Sequence, residues 1–245
     1  MSSTVTGLLA IVAGSLVLIA LERARPYDGG QPLLHDGFWV DLVGYGLVQS
    51  YVLGLVIGAM VGEPRRGPVS AWPFAAQLAL FVVTHDLYIY WFHRLQHRIP
   101  LLWRIHEAHH SAVHVDWLAG ARSHSIEILI NQTVEFGAMI LLGASPSVIV
   151  AKGVVSALWG MWIHSNIGVK SGRLQLVING PEMHRWHHAR EFRGPHGANF
   201  STKLAVWDWL FGTAYLPDAR PGRYGLTDPF PRGYLAQHLH AFRRG

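Results

Sequence analysis

The polar and apolar positions along this 245-residue chain fall into long blocks rather than into short alternations, which predicts helices and argues against strands. Residues 4–21 form an uncharged apolar run, followed by Glu22-Arg23-Ala24-Arg25-Pro26 and preceded by no basic segment, so it reads as a retained helix and not a cleaved leader. Residues 42–62 form a second uncharged run, and 21 residues at 1.5 Å each reach across about 30 Å of hydrocarbon. Residues 71–92 begin equally apolar, but His85, Asp86 and then His93 make the end of this segment polar. Polar groups in such a helix face protein or a cavity and mark function. Residues 128–144 and 146–163, parted at Ser145-Pro146, predict a helical hairpin that crosses and returns or re-enters shallowly.

Composition agrees with a membrane protein: half of the residues are hydrophobic, 14% are charged and ten are tryptophan. There is no cysteine, which excludes disulfides, thiolate metal sites and a thiol nucleophile and leaves imidazole and oxygen as metal ligands. If the five apolar segments alternate across the bilayer, every His-rich segment falls on one side. That side also receives all Lys and Arg except Arg65, Arg66 and Lys152, so it is expected to be cytoplasmic. The net charge of +5 then suits an anionic lipid surface, and no interleaved basic and aromatic pattern points to nucleic acid. The expectation is an all-α, multi-pass integral membrane protein with four to five transmembrane or re-entrant helices under a cytosolic helical cap. A single membrane domain over 1–245 is expected, with N-terminal membrane helices over 1–80, a catalytic region over 81–213, and a tail or lid over 214–245 rich in Pro, Gly and Arg.

The chemistry lies in histidine. His106-Glu107-Ala108-His109-His110 and His184-Arg185-Trp186-His187-His188 repeat one five-residue pattern, His-x-x-His-His, and His93 and His97 lie one helical turn apart just upstream. On a helix this spacing is expected to point three imidazoles at one spot. Asn179-Gly180-Pro181-Glu182 predicts the start of the helix that carries the second copy. Eight histidines in three clusters are too many for one tetrahedral ion and suit two metals. Imidazole serves iron, copper, nickel and zinc alike. With no carboxylate among them the pair would be strongly cationic, an arrangement suited to binding and activating dioxygen.

Longer stretches resemble the membrane fatty acid hydroxylase and sterol desaturase superfamily. They are residues 86–97 (Asp-Leu-Tyr-Ile-Tyr-Trp-Phe-His-Arg-Leu-Gln-His), 103–111 (Trp-Arg-Ile-His-Glu-Ala-His-His-Ser), 122–127 (Arg-Ser-His-Ser-Ile-Glu) and 181–188 (Pro-Glu-Met-His-Arg-Trp-His-His). Asn199-Phe200 and 207–213 (Trp-Asp-Trp-Leu-Phe-Gly-Thr) extend the likeness, which covers roughly 81–213. The resemblance implies a non-haem di-iron oxygenase that hydroxylates, or desaturates, an alkyl C–H bond of a lipid such as a sterol, fatty acyl chain or ether lipid. O2 is the implied co-substrate, and zinc can replace the two irons in recombinant protein. It implies His93, His97, His106, His109, His110, His184, His187 and His188 as ligands. A further ligand is expected between the second and third clusters, where His164 is placed for it. His124 could complete the set, although Ser125 stands where the family pattern has Pro.

His85, two turns before His93, is expected either behind the ligands or as a polar lining. Asp86, Glu107, Glu127, Glu182 and Asp208 are candidates for orienting ligand imidazoles through their second ring nitrogen. His114 and His196 are expected in loops near the site, and His35, His238 and His240 at the periphery. No flavin, haem or nicotinamide motif is visible, so electrons are expected from a separate donor, a cytochrome b5-like protein or a ferredoxin with its reductase. Arg94, Arg98, Arg104, Arg185, Arg190 and Arg193 could form its docking face. The rival readings are a His-rich membrane metal-binding or transport protein, which would place ligands at mid-bilayer on broken helices, and a zinc hydrolase, which would need fewer ligands and an open position.

Overall fold

In the computed structural model, residues 3–191 and 197–243 are described, so His196 and Arg193 lie outside the described residues. Nine helices organise them: α1 (Ser3–Ala24), α2 (Val40–Val61), α3 (Phe74–Gln96), α4 (Pro100–His110), α5 (Ser125–Leu142), α6 (Pro146–His164), α7 (Pro181–His187), α8 (Val206–Leu210) and α9 (Tyr234–His240). The described chain is all-α apart from two isolated bridges. Proline opens α4, α6 and α7, where its missing N–H is no loss. Gly143 ends α5 in the left-handed conformation at φ 82°, and Pro146 starts α6 three residues later.

Four helices are long and apolar enough to cross a membrane: Thr4–Ala24, Val40–Val61, Ser125–Leu142 and Pro146–His164. Their outward faces are apolar, with Leu8, Leu16, Leu55 and Met60 each about 60% exposed, as lipid contact requires. α3 does not meet that standard of apolarity, because its second half carries His85, Asp86, His93 and Arg94. It still runs the same depth. Gln77, near its start, accepts from the Ser145 N–H at the α5–α6 corner, and its other end delivers His93, while 23 residues of helix rise about 34 Å.

α1 lies tight against α6. A Cβ at Gly7 or Gly14 would stand 2.7 Å from Val150 or 2.5 Å from Leu158, so these two glycines, seven residues apart on one face, permit the contact. A small apolar core of Val69, Phe81, Met139, Ala144 and Val148 closes the end of the bundle away from the histidines. α2 begins as a π-helix over Val40–Gln49 before becoming α-helical. Asp41, Tyr45 and Gln49, four residues apart, lie on one buried line. Asp41 pairs with Arg122, Tyr45 donates to Gln237, and Gln49 donates to the Ser123 carbonyl, so this polar line ties α2 to the start of α5 and to α9.

Candidate metal centre

The histidines gather at the ends of α3, α4, α6 and α7. Among the described residues they form two adjacent groups, His93, His97, His106, His110 and His187 in one and His109, His164, His184 and His188 in the other. Within each group the possible ligand atoms all lie within 4.8 Å of one another. The two His-x-x-His-His copies are therefore split, not each aimed at one spot as the spacing alone suggested. His106 and His110 join one group and His109 the other; His184 and His188 join one group and His187 the other. Adjacent helix positions differ by about 100°, so residues i and i+4 share a direction while i+3 falls to the opposite side of the stripe. Each copy thus bridges the two groups.

The ring protons establish what such groups can hold. Nδ1 of His93 lies 2.8 Å from the Phe200 carbonyl, that of His187 2.8 Å from Ala198 O, that of His109 3.0 Å from Arg122 O, and that of His164 2.7 Å from Gly160 O. Nδ1 of His106 lies 3.0 Å from a Glu127 carboxylate oxygen. A carbonyl or carboxylate oxygen only accepts, so in each neutral ring the proton sits on Nδ1 and Nε2 presents a bare lone pair. Those lone pairs face one another: His109 Nε2 is 3.2 Å from His164 Nε2, with no proton available to bridge them. His164 Nε2 is also 2.9 Å from His184 Nε2 and 3.1 Å from His188 Nε2. In the other group His187 Nε2 is 3.1 Å from His110 Nε2, while His93 Nε2 and His106 Nε2 are buried with no hydrogen-bond partner. A shared cation resolves this, since nitrogens about 2.1 Å from one ion stand about 3 Å apart. The donor set fits two metal ions.

Burial favours the neutral rings that ligation needs. Taking His106, His110, His184, His187 and His188 out of water pushes each well below the ordinary histidine range, and the neighbouring imidazoles push in the same direction. Gly120 lets the 119–121 turn approach α6 at this point, where a Cβ would meet His164 Nδ1 at 2.8 Å. The loop after α7 is held by two buried carboxylates. Asp208 accepts from the N–H groups of Phe200 and Ser201 and from Thr213, and Asp86 accepts from Thr202, from the N–H groups of Lys203 and Leu204, and from the Trp207 indole. They support the imidazoles through the loop that carries the Phe200 carbonyl.

Over residues 78–213, more than half of its length, the sequence matches the fatty acid hydroxylase family. The chain belongs to that family. It is 34% identical over 175 residues, 71% of its own length, to an ornithine lipid hydroxylase, OlsE, of Rhizobium tropici, and covers 52% of that protein. To the human alkylglycerol monooxygenase it is 32% identical over 144 residues, 59% of this chain and 32% of the relative. To a methylsterol monooxygenase, 1-3, of Arabidopsis thaliana it is 27% identical over 184 residues, 70% of this chain and 58% of the relative. The chain thus spans between about a third and three-fifths of the length of these relatives. No solved structure matches it.

Several expected roles change place. His124 joins neither group; its Nδ1 accepts from the Ile126 N–H as the cap of α5, and its Nε2 donates to the His238 carbonyl, so both ring nitrogens are engaged elsewhere. Of the five candidate carboxylates only Glu127 contacts a ring of either group; Glu107 faces His240 and Glu182 accepts from the Ser171 N–H. Arg185 is fully buried, donating to the Ser165 and Ile167 carbonyls and stacked 3.8 Å over Tyr27, and so offers nothing to a docking partner. His238 is not peripheral: its Nε2 faces the Ser125 N–H, the Ser125 hydroxyl and Gln49, locking α9 onto α5. His35 is buried against Asp116, 3.2 Å away, with the His114 ring tilted at 40° to its own and 5.6 Å from it, outside both groups. His85 enters a buried cluster with Glu135 and Lys152. Arg122 and Phe200 lie in stretches that carry the family resemblance and Ala198 and Gly160 do not, but for none of the four did the sequence point to the backbone carbonyl that sets a ring orientation; only the fold reveals that role.

Proposed function

We propose that the nine grouped histidines hold two iron ions and that the protein is a membrane-embedded oxygenase hydroxylating an alkyl C–H bond of a lipid. The observation that carries this is the pair of bare Nε2 lone pairs, His109 and His164, facing each other at 3.2 Å inside a family of hydroxylases. Bound iron would supply activation of dioxygen and removal of hydrogen from an unactivated C–H bond.

The chain's own residues prepare that chemistry. The carbonyls of Phe200, Arg122, Ala198 and Gly160 and the Glu127 carboxylate each take one Nδ1–H, which fixes the tautomer, aims Nε2 and raises the basicity of the ring. Burial of His106, His110, His184, His187 and His188 keeps them neutral and keeps water from the site. The placement of the groups at helix ends, not on broken helices at mid-bilayer, favours this over transport. The relatives are named for three lipid classes, ornithine lipid, alkylglycerol and methylsterol, and we take the substrate from that range.

Inserting one oxygen atom of O2 into a C–H bond and reducing the other to water consumes two electrons and two protons. A separate donor, a cytochrome b5-like protein or a ferredoxin with its reductase, supplies them. Arg94, Arg98 and Arg104, at the histidine end of the bundle, give it a cationic approach. The same end receives most Lys and Arg, so we place the metal groups on the cytoplasmic side.

The test is elemental analysis of protein purified from iron-supplemented cells, together with 18O2 labelling of the lipids of those cells. About two irons per chain and an 18O-hydroxylated lipid, both lost in His187→Ala, are expected. Two zincs with no labelled lipid from iron-replete protein would favour hydrolysis, and substantially less than two metals of any kind would refute the assignment.

A further inference from the structure

A second polar feature lies in the seam between α3, α5 and α6, away from the grouped imidazoles. On α5 Glu127, Asn131 and Glu135 recur every four residues, and on α6 Lys152, Ser156 and Gly160 do the same, so each helix turns one polar stripe to the seam. A cavity of about 180 Å³ runs along it, its wall including His93, His109 and His164 at one end and His85, Asn131 and Ser156 at the other. Eight residues separate His85 from His93, and eight separate Ser156 from His164, which sets the two ends about 12 Å apart.

The far end is built around an ion pair. Lys152, with no exposed surface, donates to Glu135, to Ser156 Oγ at 2.8 Å and to His85 Nδ1 at 3.1 Å, which uses all three of its N–H bonds. A clamp between α5 and α6 would need only Glu135 and Lys152. His85 and Ser156 are added to it, and both face the cavity.

His85 accepts from the ammonium at Nδ1, so its proton is on Nε2. That buried N–H has no hydrogen-bond partner; the nearest carboxylate oxygen, Glu135 Oε2, is 3.6 Å away and beyond reach. Trp159, less than a turn beyond Ser156, lines the same cavity, and its buried indole N–H also has no partner. Buried polar groups are satisfied in the great majority of cases, and an indole N–H can only donate. Two unmet donors therefore stand in the wall of a cavity that leads to the metal centre, and what they await is an acceptor. The acceptor is uncharged: Glu135 balances Lys152, whose ammonium has no N–H left for an anion, and the one further lysine of the cavity wall, Lys203, is matched by the Glu127 carboxylate in the same wall, so the low-dielectric seam carries no net positive charge to call for an anion.

We propose that this cavity seats the lipid substrate and that His85 and Trp159 recognise an uncharged oxygen on its chain, roughly 8 to 12 Å from the carbon that is oxidised. The substrate is then an alkyl chain already bearing a hydroxyl, ether or ester oxygen, not a plain hydrocarbon or an anionic acyl chain. This rests on the oxygenase reading for what happens at the metal end.

The test is a binding measurement on the iron-loaded full-length protein in nanodiscs, with tritiated 1-hexadecanol displaced by unlabelled 1-hexadecanol, hexadecane or hexadecanoate. The expected result is that hexadecanol binds about five- to tenfold more tightly than hexadecane, the worth of a neutral hydrogen bond, and that hexadecanoate gains nothing. Trp159→Phe, which keeps an aromatic ring and removes the N–H, reduces this preference at unchanged iron content and thermal stability, and His85→Phe, which also strands one Lys152 N–H, reduces it at unchanged iron content with a lower melting temperature. Equal binding of hexadecanol and hexadecane by the wild type, an undiminished preference in both variants, or a preference for hexadecanoate overturns the proposal. Binding needs no turnover, so the two readings fail separately. Preference without iron would sink the oxygenase and leave the oxygen-recognising cavity standing, whereas iron and labelled product without preference would sink the cavity proposal alone.

Discussion

The Nδ1–H of His93 donates to the carbonyl oxygen of Phe200, 2.8 Å away and 107 residues later in the chain. A histidine on a long helix is thereby aimed by the backbone of a loop. The loop is itself held by Asp208, which accepts from the N–H groups of Phe200 at 2.8 Å and Ser201 at 2.9 Å and from the Thr213 hydroxyl at 2.7 Å. The orientation of a ring in the five-histidine group thus depends on a carboxylate that touches no ring of either group.

That dependence makes Asp208→Asn informative. The amide keeps one acceptor and turns an N–H toward a backbone N–H, so one buried donor loses its partner at about 1–3 kcal/mol. Iron affinity is expected to fall about 10- to 100-fold, as when other supporting partners of ligands are removed. Titration of the purified variant with a competing chelator measures it. Retention of iron at the wild-type level would mean that the loop is held by Asp86 and packing alone.

His187 and His124 separate ligand from cap. His187→Ala removes a member of the five-histidine group and is expected to release metal while the chain still inserts into membranes. His124→Ala removes the α5 cap, at about 1 kcal/mol, and keeps full metal content. Metal analysis and thermal denaturation of the two variants side by side check both; metal loss in His124→Ala would return that residue to the ligand set.

The sequence disclosed what repetition and hydrophobic blocks can carry. The apolar runs located the four long helices within a few residues, and His-x-x-His-His located the grouped imidazoles, because both signals are local and periodic. The splitting of each copy between two groups was hidden, since i+3 and i+4 look equivalent until neighbouring helices fix which side each faces. Backbone acceptors such as Phe200 and Arg122 leave no side-chain signature at all. The π winding of residues 40–49 is a departure that the apolar composition of residues 42–62 does not announce. Arg185 read as a surface cation from its His-rich context, yet the fold turns it inward onto two carbonyls and Tyr27.

Acid should unfold the metal-free protein. Burial holds His106, His110, His184, His187 and His188 well below the ordinary histidine value when folded, so unfolding takes up protons wherever the pH lies between the folded and unfolded values. Their contribution is fully present above about pH 6.5 and is lost as the pH falls below it. The melting temperature of chelator-stripped protein is therefore expected to be level between about pH 7 and 8 and to drop steadily below about pH 6.5. A melting temperature higher at pH 5.5 than at pH 7.5 would contradict the burial of neutral rings.

Arg122 joins the ion pair on α2 to the grouped histidines. Its Nε and Nη2 donate to the two oxygens of Asp41 at 2.7 and 2.8 Å, Nη1 donates to Ser111, and its carbonyl accepts the Nδ1–H of His109. Asp41→Leu strands a guanidinium that is largely buried, and removing one partner of such a pair destabilises by about 3–5 kcal/mol. Replacing both, Asp41→Leu with Arg122→Met, removes the stranded charge and restores most of that stability. The carbonyl of residue 122 survives in the double variant, so His109 keeps its acceptor. Iron content is therefore expected to track the stability of the fold and not the presence of the ion pair. Thermal denaturation and metal analysis of the two singles and the double decide it: a double variant as stable as wild type but lacking iron would show that the guanidinium itself, through Ser111 or its charge, is needed to set His109.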